Sequence, residues 1–551
     1  VVEVQSEIGR FGGTIVNGVA FLRNEYIPNM MNKEPFIEVT WPLPAEGPLN
    51  ANVAESWSFN DEGTELTLNL RQGIKWSDGE PFTAEDVIFY WEDILLDEGV
   101  ARTPPAVLRV DGELPQLEMI DDFTVRFTFP KPFFFAETAL ATMHDVAWPK
   151  HTVSPMHPKY NSEANYDELN ENLLFFNGRG AVTLGPWALQ DYFPGEKFVL
   201  VRNPYYWKVD AEGNQLPYFD RVEIREVEDR QSVALGNISG EFDSDGMWVG
   251  VQHLQLFLEE QAQRDYDLGY SGVAGMAMYF NFDATDDAVR EAFRNTDFRR
   301  AFSLAIDRDG INFVSFNDLL TPRGWSWSPL SPYYDEEVAN LWIEYDPDQA
   351  RELLDAAGYV DADGDGFRDA PDGSPLQIIV DVSQHDLYVP INEMIRDQLA
   401  DVGIELVLNV QHQDLIEERR LGQEWHIHVW DLYGTEEPLA DLTLWVPVSE
   451  GHPYWHRNAG EAPFSPEFAA YSDLLLGASS LRAEERVAAV KEAGQIMGDN
   501  VFGIYIGDYE RPFIKSNRIA NLPDRYARIQ EYGSNMPAFR YWQTFGRWDR
   551  E

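Results

Sequence analysis

Cysteine is missing from all 551 residues. Its absence excludes disulfides, thiol nucleophiles and cysteine-ligated zinc, and it suits an exported chain that folds without an oxidation step. Lysine is almost as scarce: nine of the 42 basic residues are lysine, against 94 aspartates and glutamates. A net charge of −52 repels nucleic acid and anionic lipid, so neither is expected as a partner. No run reaches 18 apolar residues, so no helix is expected to span a bilayer. The opening Val1-Val2-Glu3 lacks the pattern of a secretory leader. A mature chain is expected, with or without a lipid-bearing cysteine ahead of it. Catalytic signatures are missing too. There is no His-Glu-x-x-His and no Gly-x-Ser-x-Gly, and Gly12-Gly13 is too sparse for a phosphate loop.

What is present begins with the stretch Asn52 to Trp91. Glu65 to Leu70 alternates polar and apolar, with Leu66, Leu68 and Leu70 on one face, the period of a half-buried strand. Asn60-Asp61-Glu62-Gly63 before it is a turn, so Trp57–Phe59 and Thr64–Leu70 are expected to pair as a hairpin. Trp76-Ser77-Asp78-Gly79-Glu80-Pro81 is a tight polar turn. Thr83 follows as a helix N-cap, with Glu85 and Asp86 in the first turn. Val87, Tyr90, Trp91 and Ile94 then recur at helical spacing.

The order A-E-S-W, then L-x-L-x-x-G-x-K-W-S-D-G-x-P-x-T-A-x-D-V, resembles the family 5 extracellular solute-binding proteins of ABC importers. A second segment, Asn295 to Arg308 (N-T-D-F-R-R-A-F-S-L-A-I-D-R), resembles another signature of that family. The resemblance covers almost the whole chain. It implies an α/β, two-lobed type II periplasmic-binding-protein fold with an additional inserted domain. Lobe I is expected over 1–41, 180–276 and 500–551, the inserted domain over 42–179, and lobe II over 277–499. Two crossings between lobes would make a hinge. Within the family, the opening Ile8-Gly9-x-x-Gly12-Gly13-Thr14 is closer in pattern to the α-galactoside and oligosaccharide receptors than to the oligopeptide receptors. Within Asn295–Arg308, Asp297 is expected to cap a helix with Phe298, Ala301, Phe302 and Ala305 on one face. A proline-started helix after Asp346 is expected to end at Gly358.

Two constellations carry candidate chemistry. The loop Asp361-x-Asp363-x-Asp365-Gly366-Phe367-x-Asp369-x-x-Asp372 places carboxylates at positions 1, 3, 5, 9 and 12, with glycine at 6. That is the EF-hand calcium pattern, in which position 7, here Phe367, gives its carbonyl. Asp372 stands where the bidentate glutamate normally is, and no second helix follows. A structural Ca2+ is expected; the competing reading is a solvated acidic turn.

The second constellation is aromatic: 17 Trp, 24 Tyr and 33 Phe. Most must be core, but Trp and Tyr faces at strand ends stack on sugar rings or fill peptide pockets. Ligands of open α/β sheets bind beyond the carboxyl ends of strands. The residues expected to meet ligand are Asn24, Tyr26, Trp248, Trp325, Trp327, Trp430, Asp431, Tyr433 and Trp445. Trp430 would serve as a stacking surface and Asp431 as a hydroxyl acceptor. Peptide receptors of the family pair an aspartate with the ligand's α-amino group. Aligned on Trp430, that position falls at Tyr433, with Asp431 nearby, which shifts the balance toward a neutral ligand. His426 and His428, two apart on one strand, read as a buried pair rather than metal ligands.

The expected function is an extracytoplasmic receptor, monomeric, that delivers an oligosaccharide to the transmembrane subunits of an ABC permease. An oligopeptide receptor of the same fold is the first alternative. A glycoside hydrolase is the second, because so many acids supply chance carboxylate pairs. The acid excess itself has two readings, a saline habitat or ordinary solubility. Screening should relieve repulsion among the acids, so the melting temperature is expected to climb from low to molar NaCl. A flat curve would assign the charge to solubility.

Overall fold

The computed structural model describes residues 14–19, 34–39, 49–102, 104–143, 146–175, 182–210, 212–245, 250–384, 387–432, 435–448, 453, 455–456, 463–520, 524–527 and 547–548. The chain divides into two compact units, one of 1–42, 47–271 and 511–551, the other of 43–46 and 272–510.

In the first unit the expected hairpin forms. Strands Ala54–Phe59 and Glu65–Leu70 pair antiparallel, with Phe59 opposite Leu66. Leu66, Leu68 and Leu70 are buried on the face that alternation gives them. Asn60 closes the turn by accepting the Thr64 and Glu65 N–H groups at 2.9 and 3.0 Å. Thr83 caps helix Ala84–Phe89 in a reciprocal box with Asp86. The buried Asp86 carboxylate also takes the Trp76 indole N–H at 3.3 Å and the Lys150 backbone N–H at 3.0 Å. The W-S-D-G…T-A-x-D motif is therefore a packing device, tied by one carboxylate.

The hairpin joins Thr124–Thr128 and Gln116–Asp121 in a four-stranded sheet. This sheet lies in the region expected as an inserted domain, and it groups with the first unit. The larger sheet runs Arg525–Ala527, Tyr266–Ala274, Gly507–Ser516, Ser244–Asp245, Thr14–Val19, Arg221–Glu226, Lys197–Arg202, Trp187–Phe193. Thr14–Val19 is parallel to both of its neighbours.

The second unit is built on a five-stranded sheet in the order Glu405–Gln411, Gln377–Ser383, Ile427–Asp431, Met276–Phe280, Gly503–Tyr505. The first three strands are parallel and the last two antiparallel to their neighbours. Parallel strands need helical crossovers, and helix Tyr388–Asp401 supplies one. The return to the first lobe expected near residue 500 is corrected here: Gly503–Tyr505 is an edge of the second unit's sheet. The chain leaves that unit later, within Gly507–Ser516, between 510 and 511. Tyr505 fixes this path. Its hydroxyl takes the Gly275 N–H at 2.7 Å and donates to Asp508 at 2.7 Å. Arg323 grips Asp508 with both arms of its fork, at 2.7 and 2.9 Å. Between them Gly507 has φ 144°, and a Cβ there would sit 2.2 Å from the Thr321 carbonyl oxygen, so only glycine fits.

The 295–308 signature also resolves into packing. Asn295, not Asp297, caps helix Thr296–Leu304, accepting from the Phe298 N–H at 3.1 Å. Asp297 lies in the first turn and pairs with Arg300. Arg299 is 1% exposed and satisfied by carbonyls of Phe293, Asn500 and Val501. Burial pulls its pKa down to about 9. Helix Pro347–Ala356 starts from the Asp346 cap as expected, and Gly358 follows it with φ 88°.

One buried acid makes the second unit pH-sensitive. Glu437 accepts from the Tyr333 hydroxyl at 3.2 Å and the Leu439 N–H at 3.4 Å. Burial, opposed by Arg486, pushes its pKa from 4.5 up to about 7. Between those values the folded chain keeps a proton that the unfolded chain has lost, so stability falls as pH rises through the window. The loss should reach roughly 3 kcal/mol. Denaturant melts of the wild type and Glu437→Gln at pH 4.5 to 7.5 should show this fall in the first and its removal in the second.

Candidate functional site

The register of the second unit's sheet puts Asn409, Asp381, His428 and Tyr279 in one row across four strands, on one face. Contacts bear out the row. Asn409 donates to Asp381, and the His428 and Tyr279 rings lie 6.5 Å apart. Asp381, 1% exposed, also accepts from Arg419 Nε at 3.2 Å. His428 is buried deeply enough that its pKa drops to about 3, so it stays neutral. His426 Nδ1 accepts the Ile379 N–H at 3.2 Å. Neither histidine is placed as a metal ligand.

Trp430 lies two residues beyond His428 on the same face. Its half-exposed ring stacks on the imidazole, 6.2 Å between centroids and 14° between planes. Asp431 is the next residue and projects to the opposite face. There the Tyr388 hydroxyl, at the start of helix Tyr388–Asp401, donates to its carboxylate. The Asp431 carbonyl accepts from the Tyr279 hydroxyl at 2.9 Å. Trp430 and Asp431, expected as stacking surface and hydroxyl acceptor, thus leave the strand on opposite faces, because successive strand residues point apart.

Three other expected stacking residues are core. Trp325 is 4% exposed, and Trp327 and Trp445 are 2% exposed each. Trp325 packs edge-on against Tyr279 at 5.0 Å and over Gly503, whose missing side chain makes room for it. Trp327 meets Trp445 edge-to-face at 5.0 Å and gives its indole N–H to the Val490 carbonyl at 2.9 Å. A loop tryptophan and a core tryptophan read alike when only sequence is available. Asn24, Tyr26, Trp248 and Tyr433 lie outside the described residues.

In the acidic loop, one carboxylate oxygen from each of Asp361, Asp363 and Asp365 lies within 4.8 Å of the others. Asp361 accepts the Gly364 and Gly366 N–H groups at 2.6 and 3.1 Å, and Asp365 accepts that of Phe367 at 2.8 Å. Both glycines have positive φ. Asp369 and Asp372 stand outside this trio. Asp369 accepts from the Ala362 N–H at 3.1 Å. Asp372 turns to the Ser374 N–H at 2.9 Å, a bond that lowers its pKa.

Sequence reasoning missed the roles of Asp381, Arg419, Tyr279 and Tyr388. Asp381 interrupts an apolar strand, Gln377–Ser383, and a charge in a buried strand was the available signal.

Comparison with known proteins places these features in context. Residues 49–451 match the family model of bacterial extracellular solute-binding proteins, family 5. The chain is similar to the periplasmic alpha-galactoside-binding protein of Rhizobium meliloti, at 31% identity over 86% of this chain and 71% of that one. Among solved structures it resembles the periplasmic binding protein MelB of Agrobacterium fabrum in complex with stachyose. The identity is 25% and the TM-score 0.77, over 98% of this chain and 85% of that one. It also resembles an oligopeptide-binding protein, OppA, with 26% identity and a TM-score of 0.75 over 98% and 91%.

Proposed function

The chain belongs to the bacterial extracellular solute-binding proteins, family 5, and we propose that it captures an oligosaccharide and delivers it to an ABC permease. Its fold is the type II periplasmic-binding-protein fold, and its relatives are solute-binding proteins rather than enzymes. Among the described residues no helix is long and apolar enough to cross a membrane. The observation that carries the sugar reading is the half-exposed Trp430 ring, backed by a neutral imidazole. An uncharged aromatic face suits the C–H face of a sugar ring. The acid beside it is engaged by Tyr388 and so is poorly placed to meet an ammonium. The names of two relatives, one an alpha-galactoside receptor and one in complex with stachyose, support the same class. Likeness to OppA keeps an oligopeptide receptor as the second reading.

Capture would proceed by hinge closure about the chain passages between the units, those at 271/272 and 510/511 among them. Closure around a bound ligand needs no catalytic group. The receptor would act as a monomer and meet the permease while loaded.

Calorimetric titration with oligosaccharides and free-amine peptides tests the reading. Replacing Trp430 with Ala should cost about 1–3 kcal/mol of sugar affinity with little change in melting temperature. Tight binding of peptides, and of no tri- or tetrasaccharide, would promote the second reading.

We also propose that the Asp361, Asp363 and Asp365 trio holds a structural Ca2+. Clustered carboxylates repel one another until a cation neutralises them. Chelation should lower the melting temperature by a few degrees, and elemental analysis should find about one calcium per chain. Unchanged melting and no metal would leave a solvated turn.

A further inference from the structure

The face that carries Trp430 holds two rows of different character. The lower row is Asn409, Asp381, His428 and Tyr279. Its charge is spent internally, Asp381 on Asn409 and Arg419, and Asp381, His428 and Tyr279 are buried. The upper row lies two residues nearer the carboxyl ends of the parallel strands. Gln411 is there paired with Ser383. Continuing the Asp381–His428 pairing by two residues sets Ser383 opposite Trp430. All three side chains are half-buried, whereas those of the row below are mostly closed. Gln411 Nε2 donates to Asn409 Oδ1 at 2.9 Å, so the lower row fixes the orientation of the amide.

Neighbouring strands lie roughly 4.8 Å apart, so the upper row runs about 10 Å from Trp430 to Gln411. It begins with an aromatic plane and continues with a hydroxyl and a carboxamide. Each of these two groups both donates and accepts hydrogen bonds, and neither carries charge. A sugar ring stacked on Trp430 would bring the hydroxyls of the next ring over Ser383 and Gln411.

We propose that Ser383 and Gln411 form a second ligand subsite beside Trp430, taking the hydroxyls of the adjoining sugar residue. The proposal rests on the oligosaccharide reading above. It adds that recognition extends sideways along one sheet edge, across three strands.

The experiment titrates the wild type, Ser383→Ala and Gln411→Ala with α-galactosides of one to four residues, ending in stachyose. A neutral hydrogen bond is worth about a three- to tenfold change in affinity. Each variant is expected to lose that much for the tri- and tetrasaccharide, while affinity for the shortest ligand that binds holds within about twofold. Melting temperatures should stay within a few degrees of the wild type, since both side chains are only half-buried at a strand end. If the wild type binds these sugars and both variants do so equally well, the subsite is overturned and the receptor reading stands. An equal loss at every ligand length would also overturn it, since that would show support for the first ring only. If the wild type binds none of the panel, the oligosaccharide reading fails and the subsite fails with it.

Discussion

The Arg323 guanidinium, 3% exposed, is the fixed point of the second unit. Removing a charge from water is expensive unless good geometry and further hydrogen bonds compensate it. Here both conditions hold. The fork meets Asp508 bidentately, and Nη1 reaches the Ser326 and Trp327 carbonyls at 2.6 and 3.0 Å. The guanidinium also lies 4.6 Å over the Tyr505 ring. That one group thereby sets the conformation of the 323–327 turn, the seat of Trp327, and the backbone around Gly507. Tyr505 passes the constraint on to Gly275, the residue that leads into Met276–Phe280. The position of that strand governs Tyr279, and through Tyr279 the end of the Trp430 strand.

A similar logic explains the family signatures. Their most distinctive residues are buried polar groups with every obligation met: Asp86 under Trp76 and Arg299 among helix-end carbonyls. Such groups tolerate few alternatives, because a replacement leaves several partners unsatisfied at once. They specify the fold and say little about the ligand. On the reading proposed above, the ligand would instead meet half-buried side chains at strand ends, where many residue types are compatible with folding.

This division decides what was legible in the sequence. The hairpin over 57–70, the Thr83 cap and the proline-started helix after Asp346 follow from period and turn chemistry, which are local. The helix cap was misassigned by two residues because Asn295 and Asp297 are both good capping types. The burial of Trp325 and Trp327 was not legible, since it depends on Gly503 and Gly494 leaving space for the rings, far along the chain, and Trp445 packs in turn on Trp327. Nor was the separation of Trp430 from Asp431 anticipated. Alternation would have given it, had the strand been read to its last residue. The tethering of Asp431 by Tyr388 needed the helix to be placed, and no spacing rule supplies that.

The strand Glu405–Gln411 stands at the end of its sheet, and this position has a consequence for association between copies. Among the described residues, one row of its backbone N–H and C=O groups has no strand beside it, and Val407 and Val410 are 39% and 41% exposed. An open edge with apolar side chains is a template for another chain. Natural proteins blunt such edges with covering elements, bulges or charge. In a molecule of net charge −52, mutual repulsion acts on every approach, at the edge as elsewhere. Acid that protonates the carboxylates, or salt that shortens the reach of the field, would therefore weaken folding-independent protection as well as altering stability. Colloidal behaviour would then draw on the flank of this sheet, and ligand capture, as proposed, on its carboxyl rim at 383, 411 and 430, with Gln411 standing where the two meet.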